Sequence, residues 1–348
     1  MRFLFLLLFL LFSVNSFSQY SLDRENVKVD VRHMPSIYYP FSQRSYSVKA
    51  KTEKQIKQSM EEEEIASMVK LNQWKLVDGD DAKPTLTIIV NSESLIVEQT
   101  EVVRVDHQSK DKNGVVTNNP TFYGKITYKM VMYTQIIDNF TGESRSYNSS
   151  KDLKVYKAKE TSNYRDAADY IRENKSIIID KLIRQNIKDF VDYTNSKLAS
   201  DYTNFPEPET VEFLFMGSKK NPDFATQMQC KQDIKNMCAM LSVTGGIEDA
   251  KELAKPILAY LNEINDKYDL SNKKAIKAKH AMIMDIANVY YVLEDFENCV
   301  KYAQMLVDYK IAERDGELII KKCSNLKKMM ENNHTNTRHF TIDIESFN

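Results

Sequence analysis

Glycine and proline are scarce in this chain, with only 8 of each among 348 residues. Sandwiches of short strands and tight loops need many turn residues, so this scarcity argues against them and favours long helices. An excess of charge of one sign is also lacking, because 48 basic residues stand against 49 acidic ones, a formal net charge of −1. A balanced surface has no long-range field that attracts nucleic acid or anionic lipid. We therefore expect no nucleic-acid partner.

Cysteines are few, and all four lie in the last third of the chain, at Cys230, Cys238, Cys299 and Cys323. A metal site would want a close pair such as CxxC with histidines nearby, and no such pair occurs. On one continuous helix Cys230 and Cys238 would lie about 12 Å apart, beyond the limit of roughly 7 Å for a disulfide. We interpret the four as small buried apolar residues and do not assume two bridges.

Signatures of catalysis and cofactor binding are missing as well. The sequence contains no GxSxG elbow, no HExxH pair, no glycine-rich phosphate loop and no dinucleotide fingerprint. The five histidines are scattered, and only His334 and His339 have a ligand-like spacing. We therefore predict no catalytic residue, no metal ligand and no cofactor.

One apolar run, Phe3–Phe12, stands at the start of the chain. It follows Met1-Arg2 and precedes the small polar segment Ser13–Ser18, a pattern typical of a secretory signal peptide. Spanning a bilayer takes about 20 apolar residues, so the run is too short to remain as an anchor. We predict a signal peptide over 1–18, export to the periplasm or the extracellular space, and no stable membrane insertion. The end of this leader resembles those of exported Bacteroidetes proteins.

The next region, 19–216, predicts an α+β domain with a mainly antiparallel sheet and covering helices. Alternating apolar and polar residues at 27–31 and 46–50 predict strands. Helical spacing predicts a helix over Thr52–Asn72 and a long one over about 164–198. This order of elements favours a layered α+β fold and resembles domains of bacterial envelope assembly proteins. The last strand candidate, Val211–Phe215, either closes this sheet or bridges to the next domain.

The segment 280–310 resembles a tetratricopeptide repeat. In that family two antiparallel helices pack through small residues, and an aromatic residue follows an Asp in the turn. Here Ala287 takes the small position of the first helix, Asp295-Phe296 matches the turn, and Cys299 stands where alanine is usual. The chain departs from the pattern at Leu306, where a second alanine is expected.

A weaker copy precedes this segment at about 231–263, with Gly245-Gly246 as its turn and Pro256 inside its second helix. A further amphipathic helix over 315–331 is suited to cap the stack. We therefore expect an all-α, tetratricopeptide-like helical-repeat domain over 222–331, followed by a flexible tail over 332–348.

The resemblance implies that a protein or peptide partner binds in a concave face lined by the first helix of each pair. Each candidate residue also has a plain interpretation as ordinary surface or as a contact between helices. Carried over by position, the candidate partner-binding residues are Met284, Asp285, Asn288, Tyr291, Lys235 and Asn236.

The sequence thus predicts a non-enzymatic exported binding or scaffold protein in a bacterial envelope or secretion assembly. One alternative is an exported hydrolase with a site assembled in the α+β domain, which a pocket holding His33 or His107 against a carboxylate would favour. A structural spacer is another alternative, expected if the helical face is flat and uniformly charged. Self-association into a homo-oligomer through an exposed sheet edge also stays open.

Overall fold

The structure is a computed structural model that describes residues 22–77, 83–110, 112, 114, 116–149, 151–219 and 221–342. The predicted signal peptide and residues 343–348 of the predicted tail lie outside the described residues. None of the helices in this described part combines the length and the apolar character needed to cross a bilayer.

The fold class is α+β, as predicted. In chain order the strands are β1 (Leu22–Arg32), β2 (Ser45–Thr52), β3 (Lys75–Leu76), β4 (Leu86–Ser92), β5 (Ile96–Lys110), β6 (Val116–Lys129), β7 (Met132–Asp138), β8 (Ser144–Asn148), β9 (Lys154–Lys157) and β10 (Pro206–Met216). The helices are α1 (Lys54–Ser59), α2 (Glu62–Met68), α3 (Tyr164–Tyr202), α4 (Phe224–Met240), α5 (Ile247–Lys267), α6 (Lys273–Val292), α7 (Phe296–Asp308) and α8 (Glu313–Asn332).

One compact unit comprises residues 39–203 and contains two sheets, and we call it the sheet unit. Its larger sheet has the order β3-β2-β4-β7-β8, in which β2 pairs in parallel with β3 and β4 and the other pairs are antiparallel. The smaller sheet, β5-β6-β9, is antiparallel throughout. Helix α3 approaches β6 so closely that a Cβ atom at Gly124 would collide with Ile171.

The helix predicted over Thr52–Asn72 is divided into α1 and α2, because the backbone is extended at Met60 and Glu61. This break lets the Glu62 carboxylate reach the end of β2, where it accepts hydrogen bonds from Thr52 N at 2.7 Å and Thr52 Oγ1 at 3.2 Å. The contact of Glu62 with Thr52 at the end of β2 thus accompanies the break between α1 and α2.

The second unit combines residues 22–38 with 204–342, and we call it the helical unit. Strands β1 and β10 pair antiparallel along their whole length, from Leu22 with Met216 to Arg32 with Pro206. The structure therefore divides our predicted domain over 19–216 between the two units: residues 39–203 form the sheet unit, whereas 22–38 and 204–216 belong to the helical unit. The reason is burial, since Val27 and Phe213 lie in the same apolar core as the helices of this unit.

Helices α6 and α7 pack against each other, with Ala287 and Cys299 both fully buried. Asp295 caps α7, because its carboxylate accepts a hydrogen bond from Asn298 N at 3.2 Å. Helices α7 and α8 approach closely, and a Cβ atom at Gly316 would lie 2.6 Å from Ala303 O. Small residues thus stand at the places where these helices meet.

The tail predicted to be flexible over 332–348 is held in place as far as it is described, up to residue 342. Arg338 and His339 are buried, and Arg338 O accepts a hydrogen bond from Arg32 N at 3.1 Å. Asn333 Nδ2 donates to Pro35 O at 2.9 Å. The polar composition of this segment suggested fraying, but Asn333, Arg338 and His339 Nδ1 have hydrogen-bond partners inside the helical unit, so the structure differs from the expectation for residues 333–342.

Candidate functional site

Helix α6 places two of the predicted partner-binding residues against β10. Asp285 Oδ1 accepts a hydrogen bond from Leu214 N at 2.7 Å, and Asn288 Nδ2 donates to Glu212 O at 2.8 Å. Main-chain groups alternate in direction along a strand, and these two lie on the edge of β10 that faces away from β1. The helix face predicted to bind a protein or peptide partner therefore contacts an extended strand of the same chain.

Tyr291 extends this contact into a charged cluster. Its hydroxyl donates to Glu209 Oε1 at 2.8 Å, and the same carboxylate receives Lys322 Nζ at 2.6 Å and Arg338 at 2.7 Å. Arg338 also pairs with Glu294 at 3.0 Å. Burial alone would raise the pKa of Glu209, but Arg338 and Lys322 hold it below its ordinary value. Burial and the neighbouring carboxylate together raise the pKa of Tyr291.

The other three predicted residues have different surroundings. Lys235 Nζ lies 2.6 Å from Glu25 Oε1 on β1, and both Lys231 and Lys235 lower the pKa of that carboxyl. Met284 is half-buried against the core, and Asn236 is exposed. Asp285, Asn288, Tyr291 and Lys235 thus contact the ribbon of β1 and β10 and do not line an open groove. This corrects the expectation that the six residues form one free binding face.

Asp285 is fully buried, and its Oδ2 atom has no hydrogen-bond partner among the described residues. Burial raises the pKa of this carboxyl well above its usual range, although the bond from Leu214 N acts in the opposite direction. Asp285 is therefore a neutral acid at a pH where a surface aspartate is ionised.

A cavity of about 310 Å³ opens where β1 ends and β10 begins, beside α8. Its walls are largely apolar, with charged groups from three segments of the helical unit. The lining residues are Val31, Arg32, His33, Met34, Glu207, Pro208, Glu209, Leu326, Met329 and Arg338.

Arg32 is the distinctive group in this cavity. Only 7% of the residue is exposed, and its guanidinium donates to the main-chain oxygens of Phe340 at 3.1 Å and Val243 at 3.4 Å. The guanidinium also lies 5.2 Å from the centre of the Phe340 ring. No carboxylate pairs with it within the described ranges, and burial lowers the pKa of Arg32. A buried cation without a counter-charge favours an anionic ligand group.

The histidines of the hydrolase alternative are in two different settings. His33 lines the cavity and places Nδ1 3.1 Å from Glu207 Oε2, which is the kind of pair that the alternative requires. The lining contains no serine, threonine or cysteine, so it offers no hydroxyl or thiol nucleophile of these side chains beside His33. His107 lies on β5, half exposed, with Nε2 2.8 Å from Thr121 Oγ1 and 3.2 Å from Glu160 Oε2.

Metal binding has no support in the described part of the chain, where no group of three or more His, Cys, Asp or Glu residues could hold an ion. The cavity instead offers apolar contact, a buried guanidinium and the rim pair of His33 and Glu207. Such a lining is suited to binding a small apolar group together with a carboxylate.

No protein-family model matches the chain, and no curated protein matches its sequence. The solved structures that match in part include a neuraminyllactose-binding hemagglutinin homolog from Helicobacter pylori, with 12% identity and a TM-score of 0.20, over 45% of this chain and 88% of that one. Another is a minor lipoprotein from Acinetobacter baumannii, with 11% identity and a TM-score of 0.13, over 44% of this chain and 95% of that one. TM-scores this low support no inference about fold or function.

Proposed function

We propose that the protein is a non-enzymatic binding protein that recognises a protein or peptide partner through its helical unit. The observation that carries this proposal is the cavity with the buried, uncompensated guanidinium of Arg32. It lies beside β10, at the end of the surface where α6 already binds an extended strand. In this proposal the partner segment enters the cavity beside the beginning of β10.

The chemistry of the lining defines the partner segment. Met34, Leu326 and Met329 provide apolar surface for one side chain, and Arg32 provides charge-assisted hydrogen bonds to a carboxylate. The segment therefore carries an apolar residue next to an acidic residue or a free carboxyl end. A flat, uniformly charged face, which a structural spacer would require, does not describe this surface.

The setting is also part of the proposal. The leader pattern supports export, to the periplasm or beyond, and the likeness to tetratricopeptide repeats supports a scaffold role in an envelope or secretion assembly. Both rest on the sequence. The cavity and its charge are independent of them, so the binding proposal can be tested on the purified chain alone.

Selection from a random peptide display library tests this function directly, with the full chain lacking its predicted leader as the bait. Met329→Trp fills the cavity, and Leu318→Trp adds the same bulk at an exposed position of the same helix. We expect enriched peptides with an apolar residue beside a carboxylate, bound about tenfold more weakly by Met329→Trp and equally by Leu318→Trp. Absence of enrichment, or equal binding by both variants, would contradict the proposal.

A further inference from the structure

Cys299 on α7 and Cys323 on α8 face each other in the core of the helical unit. Their sulfur atoms are 2.9 Å apart, and both residues are almost completely buried. They are free thiols in this structure. A disulfide bond is about 2.05 Å long, so bonding would require each sulfur to move by only about half an ångström.

We propose that Cys299 and Cys323 form a disulfide that joins α7 to α8 when the chain folds in an oxidising compartment. The bridge closes across residues 24 apart in the sequence. It is independent of the proposed binding function, because it follows from the geometry of the two helices alone.

The other two cysteines provide an internal comparison. Cys230 and Cys238 lie on one helix, α4, eight positions apart, and this spacing separates them by about 12 Å. Burial raises the pKa of Cys230, and raises that of Cys238 to about 12, so both stay protonated at neutral pH. Neither has a facing sulfur within bonding range among the described residues. The chain thus contains one pair that can bridge and one that cannot.

In the packed pair, hydrogen bonding and neighbouring charges distinguish the two thiols. The hydrogen bond between the two sulfurs raises the pKa of Cys299 and lowers that of Cys323. Lys322 and Arg338 also favour the ionised form of Cys323. The thiolate is the nucleophile in thiol–disulfide exchange, and in the chain that has not yet packed either cysteine can make the first attack.

The oxidant is a disulfide donor, such as the active-site disulfide of a periplasmic thiol oxidoreductase. The thiolate of one of the two cysteines attacks one sulfur of the donor and forms a mixed disulfide, and the other donor sulfur leaves as a thiolate that takes up a proton. The sulfur of the second cysteine then loses its proton, attacks the sulfur of the first and releases the remaining donor sulfur, which leaves as a thiolate and takes up a proton. Two protein thiols are oxidised and one donor disulfide is reduced. Because both sulfurs are buried after folding, the exchange takes place before α8 packs on α7.

The bridge would fix a wall of the cavity. Helix α8 provides Leu326 and Met329 to the lining and Lys322 to the cluster around Glu209. Anchoring α8 to α7 at Cys323 restricts the turn of helix next to these residues. The redox state of the pair is therefore expected to influence the order of this region.

The test compares the full chain exported to the periplasm of a bacterial host with the same chain retained in the cytosol, both purified without reductant. Each sample is denatured and alkylated with iodoacetamide, and its tryptic peptides are identified by mass spectrometry. In the periplasmic sample we expect alkylation of Cys230 and Cys238 only. A linked pair of peptides, 280–301 with 323–327, should be about 2 Da lighter than the sum of the free thiol peptides. The cytosolic sample should show four alkylated cysteines.

A double variant, Cys230→Ala with Cys238→Ala, should give the same linked peptides after export. Four alkylated cysteines in the exported wild-type chain would overturn the proposal. So would a bridge that joins Cys299 or Cys323 to either cysteine of α4. The wild-type measurement decides the matter even if the variant does not fold.

Discussion

Replacing the buried acid Asp285 with asparagine should change how the stability of the helical unit depends on pH. An unfolded aspartate ionises near pH 3.9, whereas burial raises the pKa of Asp285 well above that value in the folded chain. The folded state therefore has its full stability below the unfolded pKa and loses stability as pH rises through the folded pKa. Between these two values each pH unit lowers the free energy of unfolding by about 1.4 kcal/mol.

Asp285→Asn removes this dependence because an amide does not titrate. The new amide can still accept the bond from Leu214 N, and its buried NH₂ group adds a constant cost of about 1–3 kcal/mol. That cost lowers the free energy of unfolding of the variant by the same amount at every pH and leaves its pH dependence unchanged. Between the unfolded and the folded pKa of Asp285, the difference in free energy of unfolding between wild type and variant should therefore move by about 1.4 kcal/mol per pH unit, in favour of the variant as pH rises.

Urea titration with pulsed hydrogen exchange provides the assay, since peptides from α6 and β10 report on the helical unit alone. Measurements at about pH 4.5, 5.5 and 6.5 span the range above the ordinary aspartate pKa. Asp249→Asn is the matched control, because it removes one carboxylate at an exposed position of the same unit. Parallel pH dependences for wild type and Asp285→Asn would refute the reasoning that Asp285 is a buried neutral acid.

Three further changes test the charged cluster and the helix pair. Tyr291→Phe removes one hydrogen bond to Glu209 and leaves that carboxylate its two cationic partners. The free energy of unfolding measured by urea denaturation should therefore fall by about 1 kcal/mol, and no change would mean that the bond is not formed. Arg338→Met removes the ion-pair partner that Glu209 and Glu294 share in the interior. The free energy of unfolding should fall by about 3–5 kcal/mol in the same assay, and a fall of less than 1 kcal/mol would contradict the burial of these ion pairs. Cys323→Ala should have a free energy of unfolding about 3 kcal/mol lower than that of the oxidised wild-type chain, and its helix α8 should be more sensitive to proteolysis. Equal stability would argue against a disulfide between Cys299 and Cys323.

The α+β class could be predicted because it depends on local patterns. Alternation at 27–31 and 46–50 and the apolar stripe of α3 are properties of short stretches, and the structure has strands and a helix there. The partner of β1 could not be predicted, since the contact between Arg24 and Glu212 joins residues 188 apart in the sequence. Pairing at that separation leaves no local signature, and β1 was placed in the wrong unit for that reason.

None of the six predicted partner-binding residues lines the cavity. Transfer by position selected three residues, Asp285, Asn288 and Tyr291, that share one face of α6, because helix periodicity determines which residues share a face. It could not identify what occupies that face, which is a strand from the same chain. Arg32 and Arg338 were missed because one ends a strand and the other follows the last helix. Nothing in their neighbourhoods indicates that both become buried beside one cavity.

A binding titration that follows a single carboxylate tests the central claim most directly. The most enriched peptide and its amide analogue, in which the acidic group is replaced by an amide, are titrated by fluorescence anisotropy against wild type and Arg32→Gln. The claim that Arg32 binds the partner's carboxylate predicts that wild type prefers the acidic peptide by about tenfold, or about 1.4 kcal/mol, and that Arg32→Gln does not discriminate. Equal preference for the acidic peptide by wild type and a folded Arg32→Gln would contradict it.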